Sequence, residues 1–167
     1  MLDHVLPPGG LPFWSDGEGR AGQMQMAVRS LRHDPRAART AREFAVRSLR
    51  AWELEPLIDD TGVVVSELVT NALRHGTRGV LHALPLPEVK VILCHTEHAM
   101  LCAVTDPSDQ GPRLREPDYE AECGRGLQLI DGVSQTWGWA PLEDRGKAVW
   151  AAFALPPGNG RHRESCH

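Results

Sequence analysis

The chain has 167 residues, of which 41% are apolar and 24% charged, with a formal net charge of −4. This length predicts one domain that buries about two thirds of its unfolded surface without disulfide or metal staples. The acidic balance argues against direct nucleic-acid binding, and no apolar run reaches the length of a membrane span. The first residues lack the pattern of a secretion signal, so we expect a cytoplasmic protein without membrane contact.

The first predicted elements are a strand and a helix. Residues 1–22 are rich in Gly and Pro, and we expect them to form a flexible arm. Alternation of apolar and polar residues predicts an edge strand over 23–31. Asp34 and Pro35 supply an N-cap and an N1 proline for a helix over 35–52. Its arginines are most simply a solvated face, with a partner-binding patch as the alternative: Arg36, Arg39, Arg42, Arg47 and Arg50.

A second helix is predicted over 57–75, with Gly76 as its C-terminal cap. Glu67, Asn71 and His75 recur every four residues and form a polar stripe beside an apolar one. A carboxylate, a carboxamide and an imidazole in one row can hold a hydrated Mg²⁺ and orient a hydroxyl or water. A solvated surface helix would show the same spacing, so the spacing alone leaves both interpretations open.

A hairpin follows, with strands over 89–94 and 100–105. Before it, residues 77–87 are assigned to a loop with a short strand over 80–83. The second hairpin strand delivers Asp106 to its end, where the carboxylate can accept a hydrogen bond from an exocyclic amine. Asp-Pro-Ser is also an ordinary turn sequence, which is the competing interpretation.

Two glycines, Gly124 and Gly126, precede an apolar helical stretch. Glycines permit close backbone approach, and a helix start offers free N–H groups and a positive dipole end to phosphate. A lone GxG is weak evidence by itself. Two final strands are predicted over 136–140 and 147–155, followed by a disordered tail over 156–167.

Cys94, His95, His98 and Cys102 form a cluster of residue types that ligate Zn²⁺. The cluster lacks the paired C-x2-C knuckle of structural zinc sites and falls where the hairpin is expected. Free thiols in a reducing cytosol are the favoured interpretation of the cysteines.

The string ELVTNALRHG, residues 67–76, resembles the N box of the GHKL ATP-binding superfamily, the Bergerat fold. The closest resemblance is to anti-sigma-factor serine/threonine kinases and their actinobacterial relatives. Residues 106–112 resemble the G1 box in a D-x-S-x-x-x-P form, 122–130 the G2 box, and 146–150 the terminal GKTVW element. The resemblance implies an α/β two-layer sandwich over 23–155, with a mixed, mostly antiparallel sheet and helices on one face.

The resemblance also implies the ligands and the residues that contact them. It implies ATP and Mg²⁺, with Asn71 as the metal ligand, Asp106 reading the adenine amino group and Glu67 as the catalytic residue. A short lid over about 111–123 is implied between the G1 and G2 boxes. The other nucleotide-contacting residues it implies are Arg74, His75, Ser108, Arg113, Gly124, Arg125, Gly126 and Leu127. Ala148 stands where relatives commonly carry a threonine near the nucleotide, which removes one expected hydroxyl contact.

Three functions follow as alternatives. The first is an anti-sigma-type kinase that phosphorylates a serine of a STAS-type anti-anti-sigma partner. The second is a non-catalytic, ATP-dependent module that sequesters a sigma factor or another regulator, and the third is an interaction domain without nucleotide. The third requires the matches at Glu67, Asn71, Asp106, Gly124 and Gly126 to be accidental. The resemblance leaves a homodimer open.

Overall fold

The computed structural model describes residues 24–77, 88–112, 125–143 and 145–156. Its elements in chain order are β1 (Gln25–Leu31), α1 (Ala37–Ala51), α2 (Ile58–Asn71), β2 (Val89–His95), β3 (Ala99–Asp106), α3 (Arg125–Val133), β4 (Thr136–Pro141) and β5 (Lys147–Ala154). A short 3₁₀ turn, Glu55–Leu57, precedes α2, and a π-helical turn, Ala72–Gly76, follows it. These elements confirm the predicted strands and helices within the described residues, with small shifts of their boundaries.

The five strands form one sheet in the order β1-β2-β3-β5-β4, and every pairing among the described strands is antiparallel. The β2–β3 hairpin occupies the middle of the sheet, as its nearly continuous apolar sequence requires. Strand β5 pairs with β3 so that Lys147 lies opposite Asp106. This register brings together the ends of two strands that are separated in the sequence by α3 and β4.

The helices cover one face of the sheet, which confirms the α/β two-layer fold. Alternate residues of β3 and β5, such as Val104 and Val149, pack against buried α2 residues such as Val64 and Leu68. Burying one such side chain stabilises the fold by about 1.5–3 kcal/mol. The opposite face carries a second, smaller buried cluster that includes Trp150. The helical layer therefore forms the main core, and the site lies at its edge.

The start of α1 differs from the prediction. Asp34 Oδ1 accepts a hydrogen bond from Arg36 N over 2.7 Å, and the helix begins only at Ala37. Arg36 takes the N-cap position and makes no side-chain cap bond. The N-cap position therefore falls two residues later than predicted, although Asp34 still accepts the bond from the N–H group two residues on that a capping aspartate accepts. The exposed arginines of α1 lie opposite its buried alanines, as a solvated face would.

The end of α2 also differs. The sequence predicts Gly76 as the C-terminal cap, but it lies inside the π-helical turn, and Thr77 follows as the cap residue. Among the described glycines only Gly146 has a positive φ. The physical reason is a contact with a distant part of the chain: the wider turn brings Gly76 against Asp106, where a side chain would overlap the carboxyl group.

Several predictions fall on residues outside the described ranges: the arm over 1–22, the strand over 80–83, most of the lid over 111–123, and most of the tail over 156–167. The domain boundaries stay predictions for the same reason. Within the described ranges, no helix combines the length and the apolar character that crossing a membrane requires.

Candidate nucleotide-binding site

A cavity of about 440 Å³ lies between the sheet and the end of α2. This volume is within the usual range of small-molecule sites. Apolar side chains supply much of its wall: Leu68, Ala72, Val104, Leu127 and Val149. Of the residues predicted to contact a nucleotide, the structure brings five to this cavity: Asn71, His75, Asp106, Ser108 and Leu127. Polar groups from separate parts of the sequence thus converge on an apolar pocket.

One end of the cavity is closed by Asp106, the last residue of β3, as predicted. Only 4% of its surface is exposed. Lys147 Nζ donates to Asp106 Oδ1 over 2.8 Å, and Ser108 N donates to the same oxygen over 2.9 Å. Burial raises the pKa of Asp106 above its ordinary value, while the bonds from Lys147 and Ser108 act to lower it. Since both bonds reach Oδ1, Oδ2 is the oxygen available to an amino group of a ligand.

Two glycines allow the backbone to close around Asp106. A Cβ atom at Gly76 would overlap Asp106 Cγ, so the π-helical turn can touch the carboxyl group only without a side chain there. Gly146 has a φ of +88°, and a Cβ atom there would overlap the Asp106 carbonyl oxygen. Its N–H group donates to Asp109 Oδ1 over 2.7 Å. The carboxyl group is therefore held between the π-helical turn and the start of β5.

Part of the cavity wall comes from the polar stripe, through Asn71 at the end of α2 and His75 in the π-helical turn. Asn71 lines the cavity, whereas Glu67, one turn earlier, lies beside it against the start of α3. A Cβ atom at Gly126 would lie 2.6 Å from Glu67 Oε2 and 3.6 Å from Asn71 Nδ2. The missing side chain at Gly126 thus lets α3 approach the stripe closely. The carboxylate and amide oxygens gathered here are the donor type that suits a hydrated Mg²⁺.

The remaining predicted contact residues lie elsewhere or outside the described ranges. Arg74 lies on the other side of the π-helical turn, where it lines a separate depression with His33. Arg125 is the exposed first residue of α3 and does not line the cavity. Arg113 and Gly124 lie outside the described residues. The assignment of these four residues, Arg74 included, to phosphate or nucleotide contacts stays a prediction.

The structure corrects the expectation about residue 148. Successive side chains of a strand face opposite sides of the sheet, so Lys147 and Val149 line the cavity and fully buried Ala148 does not. A threonine hydroxyl at position 148 would therefore not reach a ligand in this cavity. Sequence reasoning missed two polar residues of the cavity wall, Gln110 and the buried Lys147. The signal for Lys147 was a single lysine at the head of an otherwise apolar strand.

The cysteine and histidine cluster of the hairpin does not form a metal site. Cys94 pairs with Leu101, and Cys102 pairs with Leu93, so the two thiols lie on opposite faces of the sheet. Burial raises the pKa of Cys94 to about 12, which keeps the thiol protonated. No group of three metal-ligating side chains occurs anywhere in the part of the chain that the structure describes.

These features define a class of protein: an α/β sandwich whose cavity is lined by a buried carboxylate and by polar groups from the end of a helix. Comparison with family models gives a match over residues 31–153 to the histidine kinase-like ATPase domain. The chain therefore belongs to the histidine kinase-like (GHKL) ATPase family. No curated protein matches it. Domains of this family bind ATP, usually with Mg²⁺, and the cavity and its donor set fit both ligands.

Proposed function

We propose that the protein is a serine/threonine kinase of the anti-sigma-factor kind, which transfers the γ-phosphate of ATP to a serine of a partner protein. The observation that carries this proposal is the position of Glu67. The Glu67 carboxylate is half-buried and lies beside Asn71 and the start of α3, further along α2 from Asp106 than Asn71 is. A nucleotide with its base at Asp106 would extend its phosphates toward this carboxylate.

In this proposal the two ends of the cavity have different tasks in binding. Asp106 Oδ2 accepts a hydrogen bond from the adenine amino group, and the apolar wall contacts the base. Asn71 holds Mg²⁺, which offsets phosphate charge when it is bound. The first turn of α3 attracts the phosphates, because its N–H groups carry the positive end of the helix dipole. Gly126 has no side chain that would block the phosphates from reaching these groups.

Phosphoryl transfer needs positioning more than covalent chemistry from the protein. The serine oxygen of the partner forms a bond to the γ-phosphorus, and the bond from that phosphorus to the β–γ bridging oxygen breaks. ADP is the leaving group. Glu67 orients the serine hydroxyl and accepts its proton, so its role is separable from nucleotide binding.

The partner in this proposal is a STAS-type anti-anti-sigma protein with an accessible serine. Phosphorylation would change its binding to the kinase, which would control the availability of a sigma factor and hence transcription. We propose a cytoplasmic location for the same reason, because sigma factors and their regulators act there.

The kinase proposal is tested by the substitution Glu67→Gln. We expect ATP affinity to stay within a few-fold of wild type, while phosphate transfer falls by about 10²-fold or more, the usual scale for a lost general base. Transfer is measured with γ-labelled ATP and the anti-anti-sigma proteins encoded in the same genome. Calorimetry measures ATP affinity separately.

A matched control is Asp60→Asn, which neutralises an exposed carboxylate in the first turn of the same helix, away from the cavity. It should leave both binding and transfer unchanged. If the wild-type protein transfers no phosphate to any of these partners but binds one of them only with ATP, the kinase proposal fails. A sequestering module is then the better description.

A further inference from the structure

The chain has only two lysines, Lys90 and Lys147, and their surroundings differ sharply. Lys90 is half exposed on β2 and pairs with Glu88 at the surface. Lys147 has a side chain only 7% exposed and yet lines the cavity. Burying an ammonium group is costly unless it is paired and hydrogen-bonded. We therefore expect the ammonium group of Lys147 to take part in ligand binding in the cavity.

The hydrogen bonds of Lys147 leave part of its donor capacity unused. Its ammonium group donates to Asp106 Oδ1 over 2.8 Å and lies 3.4 Å from the carbonyl oxygen of Ser108. An ammonium group has three donors, and the second of these contacts is long. At least one N–H group is thus available to a ligand, directly beside the acceptor oxygen of Asp106.

We propose that Lys147 is a second base-reading residue, which donates a hydrogen bond to N1 of adenine while Asp106 accepts one from the adjacent amino group. The inference rests on the proposed binding of ATP in this cavity and identifies the group that reads the ring nitrogen. The acceptor and the donor stand side by side because the register of the sheet pairs Asp106 with Lys147.

The pair is complementary to the edge of adenine, which offers a donor, the amino group, next to an acceptor, N1. Guanine in the same position would place its O6 acceptor against the carboxylate and its N1–H donor against the ammonium. The carboxylate oxygen and the ammonium N–H group that face the base would then each meet a group of their own kind instead of a hydrogen-bond partner, which is costly. Reading two neighbouring atoms therefore excludes guanine more strongly than Asp106 could alone.

A purely structural role for Lys147 gives a different expectation. If the ammonium group only neutralises Asp106, then replacing N1 of the base will not change affinity, whatever residue stands at position 147. A probe of the ring nitrogen therefore distinguishes base reading from positioning of Asp106.

The experiment measures the affinity of the full chain by calorimetry for ATP, 1-deaza-ATP and 7-deaza-ATP, with Mg²⁺ present. 1-Deaza-ATP replaces N1 with C–H, and 7-deaza-ATP makes the same replacement on the opposite side of the base. We expect wild type to bind 1-deaza-ATP about tenfold or more weakly than ATP, as loss of a charge-assisted hydrogen bond requires. 7-Deaza-ATP should bind about as well as ATP.

The same titrations are made with Lys147→Met, with Lys147→Gln, and with Lys90→Met as the matched control. Lys147→Met should bind ATP more weakly and lose the preference for ATP over 1-deaza-ATP, while Lys90→Met should keep both. Lys147→Gln retains a neutral hydrogen-bond donor and a polar neighbour for Asp106, so it replaces Lys147→Met in the titrations if the methionine variant does not fold. It should show a reduced preference.

The outcomes separate the inference from the proposed function. If wild type binds ATP but binds 1-deaza-ATP equally well, Lys147 does not read N1, and the function stands. The inference is equally overturned if a folded Lys147 variant keeps the full wild-type preference. If wild type binds no ATP at all, the proposed function itself fails.

Discussion

The sheet end of the cavity and the helix end differ in how their polar groups are held. At the sheet end, Asp106 and Lys147 are nearly inaccessible, bonded to each other and enclosed by two glycine backbones. At the helix end, Glu67 and Asn71 are half-buried and face the start of α3. The sheet end is therefore the more tightly constrained part of the site, whereas the side chains at the helix end have more room to move.

This difference predicts how substitutions divide between stability and activity. At the sheet end, a change in shape disturbs the packing that holds two strands and the π-helical turn together, so stability and binding should fall together. At the helix end, a change displaces the flexible tip of a side chain, so binding or transfer should fall with little loss of stability.

The largest stability effect is expected for Gly76→Ala. The added Cβ atom would overlap the Asp106 carboxyl group, and overpacking of this kind costs about 1–3 kcal/mol. Thermal unfolding should show a lowered melting temperature, and ATP affinity should fall with it because the carboxyl group must move.

The matched control is Gly62→Ala in α2, where an added Cβ atom meets nothing within 4 Å. It should be neutral or slightly stabilising, since alanine favours a helix over glycine by about 1 kcal/mol. Equal behaviour of the two variants would show that the contact between the π-helical turn and Asp106 is unimportant.

A smaller loss of stability is expected for Gly126→Val. A Cβ atom there meets the end of the Glu67 side chain, which can turn aside, so the domain should stay folded. ATP affinity should nevertheless fall by about tenfold, because the valine occupies the approach between α3 and the polar stripe. Calorimetry and thermal unfolding together measure the two effects.

Gly132→Val is the control for this variant, because it lies in the same helix and an added Cβ atom meets nothing within 4 Å. Its ATP affinity should match wild type. If Gly126→Val binds ATP normally, Gly126 serves only as a helix entry. If it unfolds as readily as Gly76→Ala, the contrast between the two ends of the cavity is wrong.

The sequence predicted the parts of the site that depend on local pattern. The period of four residues placed Glu67 and Asn71 on one helix, which His75 continues only through the π-helical turn, and the apolar run of β3 placed Asp106 at its end. Asn71 and Asp106 do line one cavity. Such features can be predicted because helix and strand periods are set by the backbone itself.

The parts that the sequence did not predict depend on contacts between distant residues. Lys147 reaches Asp106 only through the pairing of β5 with β3, which no local pattern specifies. Gly76 was interpreted as a helix cap because glycine is common there, but its neighbour across the fold is Asp106. The resemblance predicts a lost hydroxyl contact at Ala148, but the side chain of this residue faces away from the cavity, because the resemblance does not fix the register of β5.

The most direct test of base recognition at Asp106 is calorimetry of wild type and Asp106→Asn with ATP and with GTP. The carboxylate is expected to accept from the adenine amino group, so wild type should bind ATP about 10²-fold or more tightly than GTP. Asp106→Asn should lose most of its ATP affinity and most of that preference. Equal affinity of wild type for ATP and GTP, or unchanged ATP binding by Asp106→Asn, would contradict the account.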